Sequence, residues 1–153
     1  MKEIYAIYRK AINEILEKMA FMFSEDAEKE DIFFPVGDTA VKAIISFTGE
    51  LTGKIEIVTC RELCVVIAKN TLGIENNGFD QNTPYDALKE FANMVCGEFI
   101  ELAQMSNKQL QMGIPEIKEV SNEEWVNILN DSNTLLFKVE DDFPLLARLS
   151  IRN

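Results

Sequence analysis

Val41-Lys42-Ala43-Ile44-Ile45-Ser46-Phe47-Thr48, followed after a short connection by Lys54-Ile55-Glu56-Ile57-Val58-Thr59, is the stretch whose reading decides the fold. Apolar and polar residues largely alternate in both runs, the period of strands with one buried face. Gly49 and Gly53 frame the connection, so the segment is predicted to be a β-hairpin. Upstream, Ile4, Ala6, Ile7, Ala11, Ile15, Met19 and Phe23 recur at a period near 3.6 with charges between them, which predicts a long amphipathic helix over 4–23. The acidic run Ser24-Glu25-Asp26-Ala27-Glu28-Lys29-Glu30-Asp31 reads as a solvated connector or a frayed helix end. Downstream, 61–72 reads as a buried helix ending near Gly73, and 74–81, with Asn76-Asn77-Gly78, as a loop.

The same order then recurs. A second long helix is predicted from 83 to about 104, and 134–140 with 145–151 form another hairpin-like pair, Asp141-Asp142 supplying the turn. Leu135, Phe137 and Val139 face one way, as do Leu145, Ala147, Leu149 and Ile151. Short strands at 32–34 and 117–120 and a brief helix at 123–129 complete the reading. Setting Asn13-x-x-x-Glu17-x-x-Ala20 opposite Asp86-x-x-x-Glu90-x-x-Asn93 aligns the two halves as a degenerate repeat. The expected architecture is a single α+β domain over 1–153. It is an antiparallel β-sheet with two long helices packed on one face and a pseudo-two-fold internal repeat.

Composition removes many functions. The chain has 153 residues, 47% hydrophobic and 27% charged, enough for one domain with a real core. A net charge of −11 without a visible basic patch argues against nucleic acid, whose phosphates demand clustered Lys and Arg. The absence of histidine removes Ser-His-Asp and Cys-His catalysis and His-containing zinc sites. Cys60, Cys64 and Cys96 are read as reduced core residues. Cys60 and Cys64 could share a helix face, but no second ligand pair is near, so no metal site is expected. The apolar run 63–68 is too short for a membrane span, and Met1-Lys2-Glu3-Ile4 lacks a signal-peptide layout. A cytoplasmic protein without membrane insertion is expected.

The chemistry concentrates in the second long helix. Thr83 is predicted as its N-cap, Pro84 as its first residue, and Asp86 as a carboxylate meeting the positive helix end. Leu88, Phe91, Ala92, Val95, Phe99 and Leu102 form an apolar stripe; Glu90, Asn93, Gly97 and Glu101 recur at steps of three and four on the other side. Gly97 costs about 1 kcal/mol relative to Ala in a helix interior, so something other than helix stability selects it, such as a closely approaching partner. Pro115 reads locally as a turn or chain-reversal residue. Trp125 and the six Met residues read as packing.

The pattern Asp86-x-x-x-Glu90-x-x-Asn93, then 21 residues, then Pro115 resembles the signature of the CheC, CheX and FliY family of chemotaxis phosphatases. Asn93-Met94 leading to Gly97, and Thr48-Gly49-Glu50-Leu51-Thr52-Gly53, look similar to the family as well. CheC-type members carry the signature in both long helices and CheX-type members in the second alone. With Ala20 set opposite Asn93, the chain looks like CheX. The resemblance implies a phosphatase acting on the phospho-aspartate of a CheY-like response regulator, with a homodimer joined through its sheets as the active assembly. Asn93 would hold the attacking water and Glu90 would pair with a lysine beside the phosphorylation site, while Asp86, Gly97 and Pro115 support the motif. A carboxamide is too weak a base to deprotonate water, so positioning is its credible role. No cofactor of this chain is implied, and magnesium would come with the regulator. The competing expectation is a non-catalytic module that binds the phosphorylated regulator or a flagellar switch component. A pure scaffold dimer would be favoured if 86–97 were buried.

Overall fold

The computed structural model describes residues 2–73, 78–103, 111–140 and 142–152. Among them the order is α1 (Lys2–Ala20), β1 (Ser24–Asp26), a 3-10 turn (Lys29–Asp31), β2 (Ala40–Thr48), β3 (Thr52–Cys60) and α2 (Arg61–Leu72). There follow α3 (Thr83–Leu102), β4 (Gln111–Met112), β5 (Glu116–Glu119), α4 (Asn122–Leu129), β6 (Thr134–Val139) and β7 (Phe143–Arg152). The strands form one sheet in the order β1-β6-β7-β3-β2-β4, with β5 also on β2, and all these pairings are antiparallel.

The two hairpins, β2–β3 and β6–β7, meet through β3 and β7, where Ile55 faces Leu149 and Ile57 faces Ala147. The strand after α1 pairs with the second hairpin, and the strands after α3 pair with the first. Each half therefore lends an edge to the other, which gives the predicted pseudo-two-fold relation.

The alternation in the hairpins sorts the two sheet faces. Val41, Ala43, Ile45, Phe47, Ile55, Ile57, Phe137, Val139, Leu145, Ala147 and Leu149 share one core cluster with the buried faces of α1, α2 and α3. Tyr8 and Phe47 both lie against the Phe99 ring, with centroids 5.7 and 5.9 Å away. On the other face, Ala40, Val58 and Leu146 pack with Trp125 and Ile128 of α4.

Two readings of connecting segments change. The acidic run contains β1, because Glu25 lies opposite Lys138 and Arg9 reaches Asp26 at 2.5 Å, contacts that only tertiary structure brings together. Residues 32–34 form no strand; Ile32 is buried beneath the sheet and Phe34 packs edge-on to Trp125. Residues 74–77 of the loop predicted over 74–81 lie outside the described residues, as do Gln104 and Asp141.

Beyond α1 the chain turns through Phe21, whose φ of 56° is the left-handed conformation usual for glycine at a helix end. The Met22 N–H bonds back to the Leu16 carbonyl at 3.1 Å and its side chain is buried, while Phe21 is 70% exposed. Phe21→Gly should therefore stabilise the fold by about 1 kcal/mol, a rise of roughly 2–4 °C in Tm by thermal melting.

Glu56, 1% exposed, lies between the sheet and α4. Arg148 donates to it from Nε at 2.8 Å and Nη2 at 3.1 Å, and Lys42 Nζ donates at 3.1 Å. Lys42 also reaches Glu124, and Arg148 reaches Asp131. Burial pushes the Glu56 carboxyl up, but the Arg148 and Lys42 bonds outweigh it and hold it below the ordinary 4.5. Its contribution is thus complete above about pH 4.5 and is lost as pH falls through the lower folded value. In urea titrations at pH 7, Glu56→Gln should cost about 3 kcal/mol, and the gap to wild type should shrink at acid pH.

Candidate functional site

α3 begins differently from the expectation. Thr83 is the first helical residue rather than the cap, and Asp80 gathers the free donors: its carboxylate accepts from the Asn82 and Thr83 N–H groups and from Thr83 Oγ1. Those bonds hold its carboxyl below the usual value. Pro84 is buried in the first turn, and the Arg61 guanidinium lies 5.8 Å over the Tyr85 ring, tying the helix start to α2. Leu88, Phe91, Ala92, Val95, Cys96, Phe99 and Ile100 are buried, which fixes the rotation of α3 about its axis.

The opposite face is the one singled out by spacing. Asp86, Glu90 and Glu101 are exposed, and Asn93 and Gly97 half-buried, so the helix does not hide this stripe. Asp86 lies in the first turn, where its carboxylate meets the positive helix end as expected, and it has Lys89 at 4.0 Å, an exposed pair of little energetic weight. Among the described residues, neither the Glu90 carboxylate nor the Asn93 amide has a hydrogen-bond or ion-pair partner. Three residues apart, their Cβ atoms are neighbours at about 5–6 Å. A Cβ placed on Gly97 meets nothing within 4 Å, so among the described residues no packing contact demands the glycine.

The α1 copy takes a different register from the one expected. Tyr8, Ala11, Ile12, Ile15, Leu16, Met19 and Ala20 are buried, matching Leu88, Phe91, Ala92, Val95, Cys96, Phe99 and Ile100 one for one. Asn13 then falls opposite Asn93, Lys10 opposite Glu90 and Ala6 opposite Asp86. The earlier alignment was shifted by seven residues, close to two helical turns, so it preserved the same faces. The first copy therefore keeps the amide and lacks the carboxylate. Its Asn13 is engaged, accepting from Ser24 Oγ at 2.5 Å, and Lys10 lies 4.0 Å from Glu14.

Pro115 is at a bulge, not a chain reversal. Phe47 pairs with Met112 and Ile44 with Glu116, so Ile45 and Ser46 on β2 face three residues, Gly113, Ile114 and Pro115. The Gly113 N–H bonds the Ser46 carbonyl at 2.7 Å. The α3 helix packs along β2 and β5. Asn93 lies on the outward side of α3, and Pro115 in the segment that runs beside β2, a strand against which α3 packs. Gly-Ile-Pro was the visible signal for this feature, but the surplus residue shows only in the pairing register.

Cys60, Cys64 and Cys96 are buried free thiols; burial pushes Cys96 up to about 12. Among the described residues, no group of three or more His, Cys, Asp or Glu is arranged to hold a metal, and no described helix is long and apolar enough to cross a membrane. An open hollow of about 490 Å³ lined by Ser46, Thr48, Lys54, Ser150 and Arg152 lies across the hairpin ends and shares no residue with α3. The Glu90–Asn93 face is the convex side of a helix, which suits a partner that supplies its own concavity, as a protein does.

A family model described as Chemotaxis phosphatase CheX matches residues 41–133, more than half of the chain. Comparison with curated proteins returns no match. Among solved structures, the chain is similar to the chemotaxis protein CheX of Vibrio vulnificus, at 18% identity and a TM-score of 0.72, covering 98% of this chain and 97% of that one. It is also similar to the CheX–CheY–BeF3–Mg complex of Borrelia burgdorferi, at 17% identity, TM-score 0.67 and 97% coverage of both chains. FliY of Thermotoga maritima follows at 16% identity and TM-score 0.58, with 97% of this chain and 85% of that chain covered. At these identities the likenesses concern the fold. Gly97→Ala should add about 1 kcal/mol of stability in chemical denaturation, since no neighbour opposes the methyl.

Proposed function

This chain belongs to the CheX chemotaxis phosphatase family, and from that premise we propose that it hydrolyses the phospho-aspartate of a CheY-like response regulator. The observation that carries the reading is the Glu90–Asn93 pair, side by side on the outward face of a helix whose other side is locked into the core. The Borrelia complex, a CheX with a CheY, beryllium fluoride and magnesium, supplies the class of partner.

An acyl phosphate is intrinsically labile, so this chain needs no nucleophile of its own. The Asn93 amide, uncharged and a poor base, can hold a water by its carbonyl oxygen or amide N–H in line with the phosphorus. As the water oxygen bonds to phosphorus, the bond to the aspartyl oxygen breaks and the carboxylate leaves. Inorganic phosphate is released with a proton passing to solvent. Glu90 would meet a lysine of the regulator, which sets the register that puts Asn93 at the phosphoryl group. Magnesium belongs to the regulator's site in this reading. We also propose a cytoplasmic homodimer.

The exposure of Asp86 and Glu90 removes the condition that would have favoured a pure scaffold. The decisive measurement is the decay of a phosphorylated CheY-like regulator from the same cell. Wild type should accelerate it, and Asn93→Ala should lose about a hundredfold in rate at matched binding saturation. Retention of rate in Asn93→Ala would remove the water-positioning mechanism. If both proteins bind without accelerating decay, the chain is a binding module for that regulator.

A further inference from the structure

We propose that Gly97 is the point on α3 where the regulator's own backbone comes down onto the helix, through a loop bordering the phosphorylated aspartate; this rests on the phosphatase reading of the Glu90–Asn93 face. Its place on that face follows from helical spacing. Gly97 stands four residues beyond Asn93 and seven beyond Glu90, so each lies about one turn from the next, with neighbours roughly 5–6 Å apart. Cys96 and Ile100 beside it are buried, whereas Gly97 is half-buried and Glu101, one turn further, is exposed.

Nothing described within the chain calls for a glycine here. Its backbone is ordinary helix: the described glycines with positive φ are Gly37, Gly49 and Gly73, and α3 runs unbroken from Thr83 to Leu102. Packing makes no demand either. At Gly53 a Cβ would collide with the Ser150 carbonyl oxygen, so that glycine is required by its own fold, while a Cβ on Gly97 meets nothing within 4 Å among the described residues. Helix stability argues the other way, since alanine is the better helix former. What the residue supplies is space on the outside of the helix.

That space adjoins the amide. The surface neighbours of Gly97 are Asn93, Met94, Ile100 and Glu101, so the missing side chain leaves a notch one residue wide on an otherwise convex face. A water held by Asn93 in line with a phosphoryl group requires that group close to the amide, which brings the loops around it against the next turn of α3. With no Cβ at 97, a second chain can pack directly on helix backbone. A side chain there would hold the loop off the helix, and the phosphoryl group with it. Glu90 offers an ionic contact from a flexible side chain; the notch adds a fixed stop beside Asn93.

The test sets stability against binding in the same variants. Gly97→Ala and Gly97→Leu should both melt above wild type, because either residue favours the helix over glycine. For the beryllofluoride form of a CheY-like regulator from the same cell, Kd should rise about fivefold with alanine and about fiftyfold or more with leucine, and KM for dephosphorylation should follow. Asn127→Leu, which adds apolar bulk to the exposed side of α4 across the sheet, should change neither. Molar mass by light scattering should be the same for all four proteins, because a dimer joined through the sheets leaves the outward face of α3 free. The proposal is overturned if Gly97→Leu keeps Kd within about twofold of wild type, if Asn127→Leu weakens binding equally, or if the loss of binding tracks a change in molar mass. Should leucine lower the Tm, the alanine variant decides by the same criteria. If wild type binds the regulator without accelerating its decay, the phosphatase reading fails by itself and the Kd series still decides the contact. If wild type binds none of the cell's CheY-like regulators, the reading and the contact fall together.

Discussion

The antiparallel pairing of β3 with β7 is the contact on which the rest of the molecule depends. Without it each half has a two-stranded hairpin, a long helix and an edge strand with nothing of its own to pair with. Hairpins of two strands are marginal in water. Once β3 and β7 meet, β1 and the β4–β5 pair have the opposite halves' hairpins to complete, and α1 and α3 share one apolar floor. Glu56 sits opposite Arg148 within that pairing and accepts two bonds from it. A buried ion pair need not add net stability over an apolar one. It does penalise any slip of register, because a one-residue shift would leave a charge buried and unpaired while turning the apolar set to the wrong face.

Much of this was legible in the sequence, for a physical reason that also marks its limit. Alternation in 41–48 and 54–59 and the helical period in 4–23 and 83–102 report which side of an element is buried, and the structure buries those sides except at Ala6 and at Phe23, which is exposed beyond the helix end at Ala20. Such patterns carry no information about translation along the element by a whole number of periods. The α1 copy was accordingly placed two turns away from its burial register, with Ala20 rather than Asn13 opposite Asn93. The strand hidden in the acidic run is a second case. Ser24-Glu25-Asp26 has poor strand propensity, and it pairs because Lys138 and Arg9 supply opposite charges from distant parts of the chain. Asp80 displaced Thr83 as the group that satisfies the start of α3 because a loop carboxylate can serve several donors at once.

The corrected register sharpens the difference between the halves. Both helices hold an asparagine at the matching place, so the carboxamide does not distinguish them. What differs is its neighbour and its freedom: Lys10 stands where α3 has Glu90, and Asn13 is tied to Ser24 by the strand that follows its own helix. An amide engaged in an internal bond has less capacity left to hold a water, and a lysine repels the cation that a glutamate attracts. A half-site can be disabled in this way without loss of the fold, because the positions involved lie on the face that packing does not use.

On the proposed reading, the same separation explains how the outward face of α3 can serve as a functional surface without being a pocket. A substrate that brings a strained or activated bond asks only for a rigidly placed water and a defined approach, and rigidity is what the buried side of α3 supplies. Phe91, Val95 and Phe99 hold the helix against the sheet, and Phe47 links it through Phe99 to the strand that carries the bulge. The outward residues are thereby relieved of any structural duty. Gly97, which no described residue requires for packing, and Asn93, a modest helix former, are tolerated there because the core face carries the helix. The stability of α3 and the selection of its exposed face are thus carried by different residues of one element, so a site can change on it while the fold stays as it is.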